Sequence, residues 1–524
     1  MKISCIKTTV AGMLFMAVFS SCANSNGQVR EPIVEITSGY IEGEYENNVY
    51  AFKGIPYAQA ERFLASRPVD RWTDTLECCQ YGPWAIQGGR GNDESGNFLI
   101  NVWSKGLEDG AKRPIMVWIH GGGYSSGSGN MAEYNDGVAL AKKGVVIATL
   151  NHRLDIMGFL DLSGFGGKWK ESQNAGMLDI VRALEWIRDN ADAFGGDKDN
   201  VTIFGESGGG GKVGTLMCMP AAKGLFHKAI IESGAKLNVV NAQLSDTLAK
   251  MVVKELGLTK ETLDRIQTMP YAQIARAGNK CVAALMGPRT PGSIKMWGFV
   301  PSEGTESLPK HAYTPGFSDL SKDIPLIIGS TFNELDRTYY DNKTFTQQQG
   351  IEILKDKYGE ENLDGFLTAY RQAYPYKEKD DILDMVGLDC NIRAQSIYAA
   401  DWQSANATAP VYMFLFNWYA PSADGGKASS FHSLEIPFVF NNPDLEKSNI
   451  RQGDENARVL AEKMSQAWVN FAYTGNPNAK SIKGLPKWKP YTKENGATMI
   501  FDNCCEMRYG HDRALQELLY RCLK

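Results

Sequence analysis

The sequence predicts an α/β fold built on a largely parallel sheet with helices on both faces, and three observations lead there. Apolar runs suited to buried strands recur at 115–119, 144–150, 200–205, 228–232, 324–329 and 410–418. Helical patterns lie between several of them: over 176–193, Leu178, Val181, Leu184 and Ile187 share one stripe, and Gly195-Gly196 stops it. No linker, repeat or composition shift divides the 524 residues, of which 43% are hydrophobic, so one domain with a large core is expected. Such alternation covers a sheet on both faces and gathers reactive groups at the C-terminal edge of its strands.

The elements follow in chain order. Lys2 and Lys7, an apolar run over about 10–19 and then Ser20-Ser21-Cys22 have the form of a secretory leader, with a run too short to span a bilayer. Small residues directly before a cysteine resemble a bacterial lipobox. Residues 1–22 are therefore read as a lipoprotein signal peptide, Cys22 as the acylated mature N-terminus, 23–28 as a polar tether and 29–524 as the catalytic domain. Membrane attachment through Cys22 at the outside of a bacterial cell envelope is expected, a secreted soluble form being the alternative. Strand 115–119 runs into His120-Gly121-Gly122-Gly123-Tyr124, whose bare backbone N–H groups are suited to hold a developing oxyanion. Strand 200–205 runs into Gly205-Glu206-Ser207-Gly208-Gly209, a nucleophile elbow in which only glycine tolerates the close approach beside the serine. Segments of about 238–320 and 345–400 are longer, more polar and helix-like, and are read as the cap and gorge wall that select substrate. A late helix over 455–473 carries Leu460, Met464, Ala467, Trp468 and Phe471 as a core-facing stripe, ended by Gly475 and Pro477.

A serine hydroxyl is a poor nucleophile, so a histidine must take its proton and an acid must orient that histidine, in the chain order serine, acid, histidine. His120 and His152 precede Ser207; the first is read as ordering the glycine loop, the second as structural. His227 belongs to the start of a strand, His311 to the cap and His511 to a charged C-terminal helix. His432, in a Gly/Ser-containing loop after the strand at 410–418, remains as the base. The acid belongs on the loop after 324–329, where Glu334 and Asp336 are rivals.

The motifs together resemble the type-B carboxylesterase family, which includes cholinesterases and bacterial para-nitrobenzyl esterases. The resemblance rests on Phe52-Lys53-Gly54-Ile55-Pro56-Tyr57-Ala58, the run from His120 to Tyr124, Asn151-His152-Arg153-Leu154, Phe194-Gly195-Gly196-Asp197, the elbow, Leu225-Phe226-His227-Lys228-Ala229-Ile230 and Gly475-Asn476-Pro477. It implies the α/β-hydrolase fold and a serine carboxylic-ester hydrolase working through an acyl-enzyme. It further implies Ser207, Glu334 and His432 as the triad, the amides of Gly122, Gly123 and Gly208 as the oxyanion hole, and Ser233 as a hydrogen-bonding support. Gly208 stands where the family usually has Ala, which is expected to loosen the turn. Ala85 with Asn97, and Leu258 with Arg265, occupy the family's two disulfide positions. Cleavage of an amide, carbamate or lactone by the same triad is the alternative, and a non-catalytic adhesion module related to cholinesterases a further one.

A net charge of −5 without a basic stripe argues against nucleic acid as a partner and gives no hint of substrate; a small-molecule ester is what the resemblance implies. No phosphate loop, dinucleotide fingerprint or zinc signature is present, so neither a metal nor an organic cofactor is expected. Beyond Cys5 and Cys22, eight cysteines remain, and their pairing and the oligomeric state stay open.

Overall fold

Residues 115–119 alternate between two cores. Ile115, Val117 and Ile119 enter one cluster of buried side chains, Met116 and Trp118 the other. A strand of period two does this when both faces of its sheet are covered. The same division separates Val201 and Ile203 from Phe204, Ala229 and Ile231 from Ile230, and Leu326 and Ile328 from Ile327. The computed structural model describes residues 30–88, 94–131, 136–235, 240–287, 298–310, 319–334, 346–375, 377, 382–389, 391–420, 429–447 and 450–522. The leader with Cys22, the tether, His311, Asp336 and Cys390 lie outside the described residues.

The described strands are β1 (Ile33–Ile36), β2 (Gly39–Glu42), β3 (Glu44–Glu46), β4 (Val49–Pro56), β5 (Leu76–Glu77), β6 (Leu99–Ser104), β7 (Arg113–Ile119) and β8 (Val146–Leu150). They continue with β9 (Gly196–Glu206), β10 (Lys228–Glu232), β11 (Val240–Asn241), β12 (Ser302–Glu303), β13 (Leu326–Thr331), β14 (Val411–Phe416), β15 (Ala497–Phe501) and β16 (Glu506–Tyr509). The main sheet is 11-stranded, in the order β16-β15-β14-β13-β10-β9-β7-β8-β6-β4-β3. From β15 to β8 neighbouring strands are parallel, as expected. Both margins are antiparallel. Strands β3, β4, β6, β15 and β16 escape the sequence reading: β16 reads Glu-Met-Arg-Tyr, β4 carries Lys53 and Gly54, and the short buried runs of β6 and β15 are broken by Asn101 and Thr498.

Helix Ala175–Asn190 covers one face, burying Val181, Leu184 and Ile187. Helix Glu455–Thr474 covers the other, with Leu460, Met464, Ala467, Trp468 and Phe471 all buried. The Asp454 side chain caps it by accepting from Ala457 N–H, and Gly475 ends it in the left-handed conformation. Within 238–320, helices Ala242–Glu255 and Tyr271–Met286 pack on each other; helix Ile392–Asn406, which begins inside 345–400 and runs beyond it, lies against β13 and β14. His511, expected in the C-terminal helix, sits instead in the turn before helix Arg513–Cys522. It packs edge-on against Tyr374, and burial holds its imidazole down at about 4. Ala85 and Asn97 are both buried, and Asn97 Oδ1 accepts Ile86 N–H at 3.0 Å, so a hydrogen bond spans the loop that the resemblance would close with a disulfide.

Candidate active site

β9 ends at Glu206, and Ser207 turns the chain into helix Gly208–Leu216 with φ 54° and ψ −123°. Its N–H donates to the Glu232 carbonyl of β10 at 2.8 Å, and its carbonyl accepts from Gly211 N–H at 3.0 Å. A Cβ on Gly209 would lie 2.0 Å from Ile119 O, and one on Gly205 2.4 Å from the same atom. Neither contact is survivable, so the two glycines let the turn rest on the end of β7. The turn lifts a half-buried Ser207 to the positive end of the helix dipole.

The glycine loop leaves β7 beside it. Gly122 and Gly123 have φ of 82° and 64°. A Cβ on Gly208 would stand 2.1 Å from Gly123 O and 2.4 Å from Gly123 Cα. The expected looseness at Gly208 is therefore not what the structure has: backbone of the loop fills the space a methyl would take. Asp155 N–H holds Tyr124 O at 2.7 Å, and His120 Nδ1 lies 2.9 Å from Gly121 O. The His120 ring stacks on His152, with centroids 5.0 Å apart and planes 16° from parallel. His227 serves strand pairing: its N–H donates to Val201 O at 2.8 Å, and its Nδ1 accepts Val201 N–H at 3.1 Å.

Glu334 follows β13 by three residues, has φ 46° and is fully buried. Its Oε1 accepts Thr331 N–H at 2.7 Å, while its Oε2 hydrogen-bonds His432 Nδ1. The backbone joins in, with His432 N–H on Glu334 O at 2.8 Å. Next to it, Asn333 Oδ1 accepts Ser430 N–H at 2.8 Å, and Asn333 N–H donates to Ser430 O at 2.9 Å. The acid loop and the histidine loop are thus zipped together before the side chains meet. His432 Nε2 faces the elbow, 3.2 Å from Glu206 Oε1. Ser433 Oγ donates to that same oxygen at 2.8 Å.

Two further carboxyls lie here that the sequence reading missed. Ser233, with φ 49°, donates through Oγ to Glu435 Oε1 at 3.1 Å, rather than to the Glu334–His432 pair. Glu232 Oε1 accepts Trp468 Nε1 at 2.8 Å. Burial pushes the Glu232 carboxyl up to about 8, with the charge of Glu206 adding to it. Burial holds Glu435 well above the usual carboxyl range, helped by Glu206, Glu334 and Glu232. Desolvation and neighbouring negative charge both favour the neutral form of such a carboxyl. Asp389 is likewise raised, to about 6, first by burial and then by Glu334. No pattern in the sequence marks Glu232 and Glu435 as neighbours of Glu206, since the three come from separate strand ends and loops. Among the described residues no cluster of His, Cys, Asp and Glu is suited to hold a metal ion.

A model of the carboxylesterase family matches residues 30–514. A para-nitrobenzyl esterase of Bacillus subtilis (strain 168) is 34% identical over 494 residues, covering 90% of this chain and 95% of its own length. A phenmedipham hydrolase of Pseudarthrobacter oxydans is 28% identical over 500 residues, with coverage of 90% and 95%. Among solved structures, an esterase from the anaerobe Clostridium hathewayi that can hydrolyse aliphatic aromatic polyesters matches with a TM-score of 0.82 at 35% identity, over 94% of this chain and 98% of that one. Similarity of this extent runs through the whole sheet and not through one motif, and the chain therefore belongs to the carboxylesterase family, with its α/β-hydrolase fold and its activity as a carboxylic-ester hydrolase.

Proposed function

We propose that Ser207, His432 and Glu334 carry ester hydrolysis through an acyl-enzyme. The observation that carries this reading is the buried Glu334 carboxyl on His432 Nδ1 while Nε2 faces the elbow. Ser207 Oγ attacks the ester carbonyl as His432 Nε2 takes its proton, and the negative oxygen is held by the N–H groups of Gly122, Gly123 and Gly208. His432 then protonates the leaving alcohol oxygen as the carbon–oxygen bond breaks. Water adds to the acyl-enzyme by the same route: His432 takes its proton and returns it to Ser207, releasing the acid. Glu334 keeps Nδ1 protonated throughout and stabilises the imidazolium.

The substrate in this reading is a small-molecule ester with a bulky acyl or alcohol group, for which the run of three glycines leaves room. The similarity to a para-nitrobenzyl esterase and to a hydrolase of aliphatic aromatic polyesters supports an aromatic moiety. The segments at about 238–320 and 345–400 select it. The enzyme acts outside the cytoplasm, attached to the envelope through a lipid on Cys22; the leader and the small residues before that cysteine support this. The test is Ser207→Ala assayed on a short-chain nitrophenyl ester, then a panel of aryl, acetyl, feruloyl and lactone substrates. Loss of roughly 10³-fold or more in kcat with the fold intact is expected; near-full activity in the variant would move the nucleophile elsewhere.

A further inference from the structure

Helix Gly208–Leu216 buries a lysine. Lys212 has no exposed surface, and among the described residues no carboxylate pairs with it. Burial pushes its ammonium group down to about 7. An apolar side chain would fill this position without the desolvation cost, so the amine must return something in kind. Among the described residues its one hydrogen bond runs to the carbonyl of His120 at 2.9 Å. That carbonyl belongs to the peptide leading from β7 into Gly121, and the ring of Tyr124, at the far end of the same loop, lies 5.8 Å from Nζ. Lys212 therefore reaches both ends of the loop 120–124 from the second turn of the helix that Ser207 begins.

The other titratable groups around it fit a supporting role. His120 and His152 are buried, and burial together with the charge of Lys212 keeps both imidazoles neutral. Each places Nδ1 on a backbone carbonyl, of Gly121 and of Arg153, and among the described residues neither Nε2 has a hydrogen-bond partner. The Tyr124 phenol is pushed up to about 12 by burial and stays protonated. A neutral amine still carries N–H, so the bond to His120 O persists whether or not Lys212 is protonated.

We propose that Lys212 is a positioning residue for ester hydrolysis, which by its hydrogen bond to the His120 carbonyl locks the glycine loop onto the nucleophile's helix and so sets the Gly122 and Gly123 amides against the developing oxyanion. The proposal rests on those amides forming the oxyanion hole. Gly208 lets the loop descend onto the helix, and Lys212 ties it there. The bond acts on the transition state through the loop and does not touch substrate, so its loss falls on kcat and leaves KM.

The experiment compares Lys212→Met with Lys212→Gln, side chains of equal length that differ in having a donor, by steady-state kinetics on a nitrophenyl ester and by thermal melting. Lys212→Met is expected to lose about 10- to 100-fold in kcat, with KM within about twofold and a melting temperature equal to or above the parent's. Lys212→Gln is expected to recover to within about threefold of the parent. Two results overturn the proposal: Lys212→Met keeping kcat within about twofold, or both variants losing kcat equally together with a lower melting temperature or a raised KM. If Lys212→Met does not fold, Lys212→Ala is read by the same thresholds. Ser207→Ala separates the two levels: an inactive Ser207→Ala beside an unaffected Lys212→Met removes only this inference, whereas an active Ser207→Ala removes the reading beneath it.

Discussion

Ser207, Ser233, Glu334 and Ser433 all hold positive φ, from 46° to 73°, a region that costs a non-glycine residue on the order of 1–3 kcal/mol each. Ser207, Ser233 and Glu334 stand at or just beyond the ends of β9, β10 and β13, and Ser433 stands in the turn next to His432, with hydrogen bonds from other elements holding each. Glu334 shows how: Thr331 N–H grips one carboxyl oxygen, and the other is left for His432. Glu334→Gln keeps an acceptor for Thr331 but sets an amide N–H₂ against Nδ1–H. The imidazole then loses its tautomer, and kcat is expected to fall by about 10³- to 10⁴-fold with little change in melting temperature. Asp336→Asn is expected to stay within about tenfold of the parent. The opposite pattern in the same assay would transfer the role to Asp336.

At the scale of elements, the end of β10 joins the elbow to the opposite face of the sheet. The Glu232 carbonyl holds Ser207 N–H, and its carboxyl holds the indole of Trp468 on helix Glu455–Thr474. Its folded carboxyl titrates at about 8 against an ordinary 4.5. Between these values the folded chain keeps a proton that the unfolded chain has lost, so this contribution to stability is full below about 4.5 and is lost as pH rises through about 8. Lys212, pushed down to about 7, acts with the opposite sign, its contribution being lost as pH falls through that value. Glu232→Gln retains an acceptor for Trp468 and does not titrate. Calorimetry at pH 5 and at pH 8.5 is therefore expected to show a smaller alkaline loss of melting temperature in Glu232→Gln than in the parent. Equal losses would place the titrating group elsewhere.

For the whole molecule, location is a question apart from the fold. Among the described residues no helix is long and apolar enough to cross a membrane. The proposed attachment depends on Cys22 alone, so Cys22→Ala, expressed in a bacterial host, is expected to move the enzyme from the membrane pellet to the soluble fraction with unchanged specific activity. A parent protein already soluble with an unmodified N-terminus would exclude the anchor.

By itself the sequence determined whatever is local: the parallel strands from β8 across the sheet to β14 but not β15, their apolar runs continuous because both faces are buried; the late helix; and the elbow and glycine loop, each a run of five residues carrying its own backbone chemistry. The loop after 324–329 offered Glu334 and Asp336 alike, and the family resemblance singled out Glu334. Tertiary structure decided what depends on distance in space. Glu334 and His432 are separated by 98 positions, and Ser433 and Glu206 by 227, so no periodicity can announce that they meet. It also decided the meaning of Gly208 and Lys212. A glycine read alone is a loose hinge, and a lysine read alone a solvated charge. With helix Gly208–Leu216 packed on β9, β10 and β7, the first becomes the floor of the glycine loop and the second its buried tether, because burial, which the sequence of one helix does not carry, turns a missing methyl into a contact and a surface amine into a hydrogen bond.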